Sequence, residues 1–495
     1  MAWTKDNALK ALVALALLAG FARTAYYDWR LIRCPYPLQW REISEVYSAQ
    51  LVSQGIDPYV MERTPLAAQL YGIGQALVCA PFVWAHGKAE LALLRLVNGL
   101  FLLASAWVIY AWGRLSSSRL VSGFAALLCY TLWMAQGLPT CKPEGPGLFF
   151  FLMSLYAPAR RDYDRRGLAY ALAFGLAAYF TKPYFLMGAI LVGPTVLWKR
   201  GPMAALLYTL AFLAAAAAAA LAAGLAMPLY HYETCLSFFN NFMPEPAWAW
   251  RQLNDFEWYL PGMLALPLLL LWRLLRRQGL RPPGRGLAEA ELYFVLMAYL
   301  VPFRMSVHTG VYLTYLLELL APFVALLALA VFNRCGTHGA LACAVLAASI
   351  LVAGGTLLDP HNYDLAARTQ AWQRLDAHLD PSKRTLVSGT AAALAYAKGM
   401  PFHDTGMQEY LAQPQGNALD RLSPTMQAVG RQAQGYEAGL RAQVAAGGFD
   451  RLVMGQTFLY FPAEAARHYR LVDTVDIDFK QTLGLYRTFV YDKVR

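Results

Sequence analysis

Two carboxylates one helical turn apart stand out in the stretch QWREISEVYSAQLVSQGIDPY, residues 39–59. Glu42, Glu45, Ala49 and Ser53 fall on one face of a short helix, and Ile43, Val46, Tyr47 and Leu51 fall on the other. Pro37 precedes this helix, and Gly55 suits a left-handed C-terminal cap. Carboxylates so placed are the residue types of proton transfer and cation binding. The plain alternative is an interfacial helix with a wet polar face. Further along, Glu144 could be a helix-start acid favoured by the dipole, and Lys182 and Arg304 could be snorkelling anchors. Glu318 sits inside an apolar run, where an ionisable group is costly and usually functional, or holds a structural partner. HYE (231–233) offers two potential metal ligands at an unspecific spacing. No Walker loop, zincin motif or nucleophile elbow is present.

These residues need elements to position them, and the composition says which kind. The chain has 495 residues, 58% hydrophobic and 15% charged, which is too apolar for a soluble protein of this length. Runs such as ALLYTLAFLAAAAAAALAAGLA (205–226) are long enough to cross a hydrocarbon core. The first run, Ala11 to Ala25, lacks a small-residue cleavage site and reads as a retained anchor. Seven cysteines (Cys34, Cys79, Cys129, Cys141, Cys235, Cys335 and Cys343) have no metal-type spacing and form no disulfide framework, although a Cys141–Cys235 bridge is conceivable.

The net charge of +11 does not point to nucleic acid. Arg and Lys gather in the short loops 113–119, 159–167, 198–201 and 273–286, the pattern of cytoplasmic loops in a membrane protein. Keeping all of them on one side requires that PLAAQLYGIGQALVCAPFVW (65–84) lie along the membrane surface instead of spanning. The pattern then predicts about eleven transmembrane helices. They run over 8–27, 91–112, 120–136, 146–159, 167–181, 184–198, 203–228, 260–272, 287–303, 311–332 and 338–356. The N-terminus is cytoplasmic and the C-terminus exterior. Residues 28–90 form a first exterior loop with surface helices, and nearly every isolated polar group falls on that side. The aromatic loop with Tyr230, Phe238, Trp248, Trp250 and Trp258 reads as an interfacial belt or a sugar-stacking surface.

The chain divides into a membrane domain, 1–357, and a soluble exterior α/β domain, 358–495. RTLVSG (384–389), FDRLVMG (449–455) and a closing GLYRTFVYDKV (484–494) read as its strands, with helices between. Gly389 before an Ala-rich helix weakly resembles a nucleotide-binding turn but lacks the glycine fingerprint.

The order of these motifs resembles the polytopic glycosyltransferases of the GT-C fold, which include the protein O-mannosyltransferases and the lipid A aminoarabinose transferases. The resemblance is carried by QWREISEVYSAQLVSQGIDPY and TPLAAQLYG in the first loop, then RLVNGL (95–100), CKPEGPGLFFFLMSLY (141–156), YFTKPYFL (179–186) and YLTYLLELLAPF (312–323). It departs from the family at Arg41-Glu42, where many relatives have Asp-Glu, at Glu144 in place of the commoner Asp, and at Thr314 in place of Asn.

What the resemblance implies is transfer of a sugar from a polyprenyl-phosphate carrier, with inversion, to a glycan, lipid or protein acceptor on the exterior side of a bacterial inner membrane. Glu42 would be the general base, with Glu45 and Glu144 as further candidate catalytic carboxylates. Lys142, Lys182 and Arg304 would bind the departing phosphate. Arg95, His308, Tyr315 and Glu318 would support them. A divalent metal is the one cofactor in view, and Arg41 beside a lone carboxylate makes a poorer site for it. A glycan polymerase or ligase shares the donor chemistry. A transporter would show internal repeats and midplane polar groups, which are absent here.

The charge pattern sets an expected topology. Reporter fusions at Gly201 and Gly284 should read cytoplasmic and one at Arg495 exterior. A cytoplasmic signal at Arg495 would overturn the orientation.

Overall fold

A computed structural model describes residues 5–39, 41–59, 71–135, 140–234, 286–306, 313–335, 365–403, 423–455, 463–479 and 484–494. The helices run α1 Lys5–Ile32, α2 Glu42–Ser53, α3 Gly74–His86, α4 Leu91–Gly113, α5 Arg119–Ala135, α6 Glu144–Arg160, α7 Arg165–Thr181, α8 Met187–Arg200, α9 Pro202–Ala226, α10 Leu287–Ser306 and α11 Leu313–Cys335. Each of the helices α4 to α11 overlays an expected span, and a 3-10 turn at Pro183–Leu186 leads into α8. The spans expected at 260–272 and 338–356 lie outside the described residues. Among the described residues, Leu91–Gly113 and Pro202–Ala226 are each long and apolar enough to cross a membrane by length and composition. At 13 residues, α3 extends about 20 Å, too short to cross a core of about 30 Å.

The bundle core is aromatic, with Trp112, Trp133, Phe151, Tyr156, Tyr293 and Phe323 buried among branched aliphatics. The close crossing of α4 and α6 is polar. Asn98 of α4 donates from Nδ2 to Thr140 O (2.7 Å) and accepts at Oδ1 from Gly145 N (2.8 Å). Gly145 has no side chain because none fits. A Cβ there would lie 1.9 Å from Asn98 Oδ1 and 2.7 Å from the Asn98 carbonyl. The described basic loops 113–119, 159–167 and 198–201 share the far end of the bundle, where Asn333 of α11 reaches Ser116 O (3.3 Å) and Lys199 bonds Glu289.

The C-terminal part adds α12 Leu365–Asp376, β1 Thr385–Val387, α13 Ala392–Ala397, α14 Pro424–Ala445, β2 Arg451–Gly455, β3 Tyr469–Phe479 and β4 Gly484–Lys493. The sheet order is β1-β2-β4-β3, with β1 and β2 parallel and the other pairs antiparallel. All three expected strands form, but the closing strand lies inside the sheet, between β2 and β3. Strand β3 (YRLVDTVDIDF) was not expected. Its inward Val475, Ile477 and Phe479 are buried, while the intervening acids lower its apparent hydropathy. Gly389, at φ +66°, turns the chain against the Tyr486 hydroxyl, 2.8 Å from where a Cβ would sit. The turn is thus packed by a side chain.

Helix α2 corrects the wet-face expectation. It ends as foreseen, with Gly55 at φ 74° beyond its last turn. Yet Glu42 is 0% and Glu45 1% exposed, because α2 is enclosed on both sides. Its Ile43, Val46 and Ala49 share one apolar cluster with Cys79 and Val83 of α3 and with Trp372, Val387 and Phe402 of the C-terminal part. The boundary expected at 357/358 lies outside the described residues.

Gly145→Ala should force α4 and α6 apart. We expect about 1–3 kcal/mol of destabilisation, as for other overpacked cores. A thermal melt of purified protein checks it, and an unchanged midpoint would mean that the crossing yields without cost.

Candidate active site

Glu42 begins α2, and its carboxylate is fully committed. Oε2 accepts from Leu38 N (2.6 Å), Gln39 N (3.3 Å) and Arg95 Nη2 (2.7 Å), and Oε1 accepts from Arg95 Nε (2.9 Å) and Cys141 N (2.8 Å). Arg95 of α4 spends its remaining donors on carbonyls, from Nη1 to Leu31 (3.1 Å) and Cys34 (2.6 Å) and from Nη2 to Tyr36 (2.8 Å). The pair is wholly buried and ties together the end of α1, the turn before α2, α4 and the loop before α6. Burial alone would push the Glu42 carboxyl up. The Arg95 charge, its paired donors and the Cys141 and Leu38 amides outweigh that, leaving it below the usual carboxylate range. A group so saturated has no lone pair to offer an acceptor hydroxyl.

Glu45, one turn on, is buried beside α3 and the 57–59 turn, where Tyr59 and Cys79 both feel its charge. Tyr59 is buried, donates to Tyr71 O (2.6 Å) and packs edge-on against Tyr230 at 5.1 Å. Glu233, fully buried, also faces Tyr59. His231, its neighbour in the HYE triplet, bonds Ala220 O through Nε2 (2.8 Å).

A second ionic group lies at the same end of the bundle. Lys182, just past α7, donates to Glu144 Oε1 at the start of α6 (2.7 Å). Its ammonium lies over the rings of Tyr71 and Tyr184, 4.8 and 4.9 Å from their centroids. The other Glu144 oxygen is buried and takes no hydrogen bond from any described residue. Arg41 donates to the Tyr71 hydroxyl (2.6 Å) and lies over its ring at 5.8 Å, so two cations share Tyr71. Tyr71 is brought there by glycines. A Cβ at Gly72 would lie 2.0 Å from Phe180 O, which seats the 71–74 segment directly on the end of α7. Lys142 is also buried and adds its charge near Glu144.

The structure therefore brings together Glu42 with Arg95, and Glu144 with Lys182 and Lys142. Arg304, Tyr315 and Glu318 lie on α10 and α11, but their side chains, like all of His308, lie outside the described residues. Sequence reasoning passed over Tyr59 and Tyr71, and named Glu233 only as a potential metal ligand in HYE. Both tyrosines stood in quoted motifs (IDPY, LYG), but a tyrosine in a turn carries no signal of its neighbours. Among the described residues no cluster of three or more His, Cys, Asp or Glu could hold a metal ion. With Glu42 paired to Arg95 and Glu144 to Lys182, these carboxylates do not fit a divalent cation. Cys141 is a free thiol whose Sγ contacts Leu91 O at 3.3 Å.

No family model matches the chain, and no curated protein matches it. A solved structure does. The crystal structure of ArnT from Cupriavidus metallidurans bound to undecaprenyl phosphate superposes with a TM-score of 0.56 at 13% identity, over 96% of this chain and 97% of that one. The chain thus has the GT-C fold that its motifs resemble.

Breaking the Glu42–Arg95 pair should unfold more than it inactivates. Glu42→Gln leaves a buried guanidinium uncompensated, which costs about 3–5 kcal/mol. The carboxyl sits below its ordinary value of 4.5, so its stabilisation is complete above that pH and lost as pH falls through the lower folded value. Melting of purified protein in detergent across pH checks both. A Glu42→Gln variant melting like the wild type would show that the pair is dispensable.

Proposed function

We propose that this protein is a glycosyltransferase that moves a sugar from a polyprenyl-phosphate carrier to a cell-envelope acceptor at the exterior membrane boundary. The carrying observation is a cationic cluster at one end of a GT-C bundle: buried Lys182 and half-buried Arg41 meet at Tyr71, and buried Lys142 lies with Lys182 near the buried Glu144 carboxylate. Such a site suits a donor whose tail stays among the helices while its phosphate and sugar reach the end of the bundle. Bound undecaprenyl phosphate in the structurally similar ArnT supports this donor class.

The reaction needs a base for the acceptor and a charge sink for the leaving group. An acceptor oxygen attacks the anomeric carbon, giving its proton to a carboxylate as the new C–O bond forms. The bond from that carbon to the phosphate oxygen breaks, and its electron pair leaves with the phosphate. Lys182 neutralises the charge gained there. Glu144 holds the ammonium in place until phosphate arrives. The base assigned here is Glu45 and not Glu42, whose oxygens serve the clasp with Arg95. Glu45 is buried one turn along the same helix, beside Tyr59 and Cys79. In-line displacement inverts the anomeric centre.

Two substitutions separate these roles. Glu45→Gln keeps size and hydrogen-bonding reach but cannot take a proton, so transfer from a synthetic polyprenyl-phosphate sugar should fall about a hundred- to ten-thousand-fold. Donor binding should persist. Lys182→Ala should weaken donor binding, and Lys182→Arg should retain part of it because charge persists while geometry changes. Near-normal turnover by Glu45→Gln would remove it as the base, and donor binding indifferent to Lys182→Ala would reduce that lysine to an anchor.

A further inference from the structure

We infer that the C-terminal sheet unit is a positioning element for the transfer step, acting through Tyr396 on Gln50 to hold the helix that carries Glu45. This rests on the reading of Glu45 given above. Helix α2 is pinned at both ends by different parts of the chain. Its first residue is held by Arg95 from below. Its last full turn is held by Gln50, whose Oε1 accepts from Ala89 N (2.7 Å) and from the Tyr396 hydroxyl of α13 (3.1 Å). The same hydroxyl lies 3.2 Å from Ala89 O, so three pieces of chain meet at one phenol: α2, the turn between α3 and α4, and α13.

The surroundings extend this junction along the whole helix. Tyr396 and Phe402 set their ring edges against Tyr47 of α2 at 6.0 and 5.2 Å. Lys88 lies over the Tyr396 ring at 5.2 Å and donates to Ala397 O (3.5 Å). Ahead of α2, Trp372 stacks on Tyr36 at 6.1 Å and Arg368 donates to Leu38 O (3.4 Å). Ile43, Val46 and Ala49 face the same apolar cluster as Val387 and Phe402. Glu45 therefore sits between two fixed points, one supplied by the bundle and one by the sheet unit. A 12-residue helix has few internal means of resisting a tilt. Displacement of a reacting group by about 1 Å can cost about a hundredfold in rate.

Tyr396→Phe isolates the contact, because it keeps the ring packing and deletes only the hydroxyl. In the full-length protein, kcat for sugar transfer should fall at least about tenfold, while the KM for donor stays within about twofold. Gln50→Ala should behave alike, and the double variant should lose no more than either single one, since both delete one junction. Amide exchange over residues 46–53 should speed about tenfold in each variant, with the sheet's own amides unchanged. An unaltered kcat in Tyr396→Phe alongside an inactive Glu45→Gln would overturn the inference and leave the transferase reading intact. If the wild type turns over no lipid-linked donor, that reading fails instead. The exchange measurement then decides alone, and unchanged α2 protection in Tyr396→Phe overturns the positioning role.

Discussion

A buried ion pair holds one end of this bundle together. Arg95 and Glu42 come from helices far apart in sequence, and neither reaches solvent. Taking two charges out of water costs several kcal/mol each, and attraction repays this only when the remaining donors and acceptors are filled. Here they are filled: the guanidinium reaches three carbonyls and the carboxylate three amides besides their mutual contact. Those carbonyls and amides belong to the end of α1, the turn before α2 and the loop before α6. The pair thus works as a template on which irregular backbone is laid. Its value lies in specificity: one arrangement satisfies every group and the alternatives do not.

The rest of the site hangs on that frame. The loop whose Cys141 amide meets Glu42 leads directly into Lys142 and Glu144. Asn98, one turn beyond Arg95 on α4, bonds the backbone of the same loop at Thr140 and Gly145. Glu144 then reaches Lys182, and Lys182 reaches Tyr71. Charge therefore alternates outward from the clasp, each ionic group held by the one before it. A cation preorganised between a carboxylate and two tyrosine rings loses little conformational freedom when an anion arrives. That property suits a leaving-group site better than a mobile surface lysine would.

The same frame explains why a small sheet unit sits on a helical bundle. Surface helices such as α2 and α3 cannot bury both faces against the bundle alone. Covering α2 with Tyr396, Phe402 and Trp372 completes an apolar cluster that belongs to both parts of the chain.

Much of this was legible from residues alone, for a definite reason. Apolar runs longer than a turn or two report helices by local periodicity, so α4 to α9 stand where the pattern put them. Chain order and sidedness likewise brought Glu42, Glu45, Glu144 and Lys182 into one candidate set. Local pattern also misled where burial came from a distance. Glu42 and Glu45 looked wet because their own helix face is polar, and nothing near residue 42 announces Arg95, Cys141 or a domain some three hundred residues on. Strand β3 was hidden by Asp476 and Asp478, which alternate with its buried residues. Which carboxylate is saturated, which one meets Lys182 and which tyrosine Lys182 and Arg41 share are settled by hydrogen bonds and a ring contact between residues about 30 to 110 positions apart. A sequence specifies those contacts only through the tertiary packing that brings them into reach.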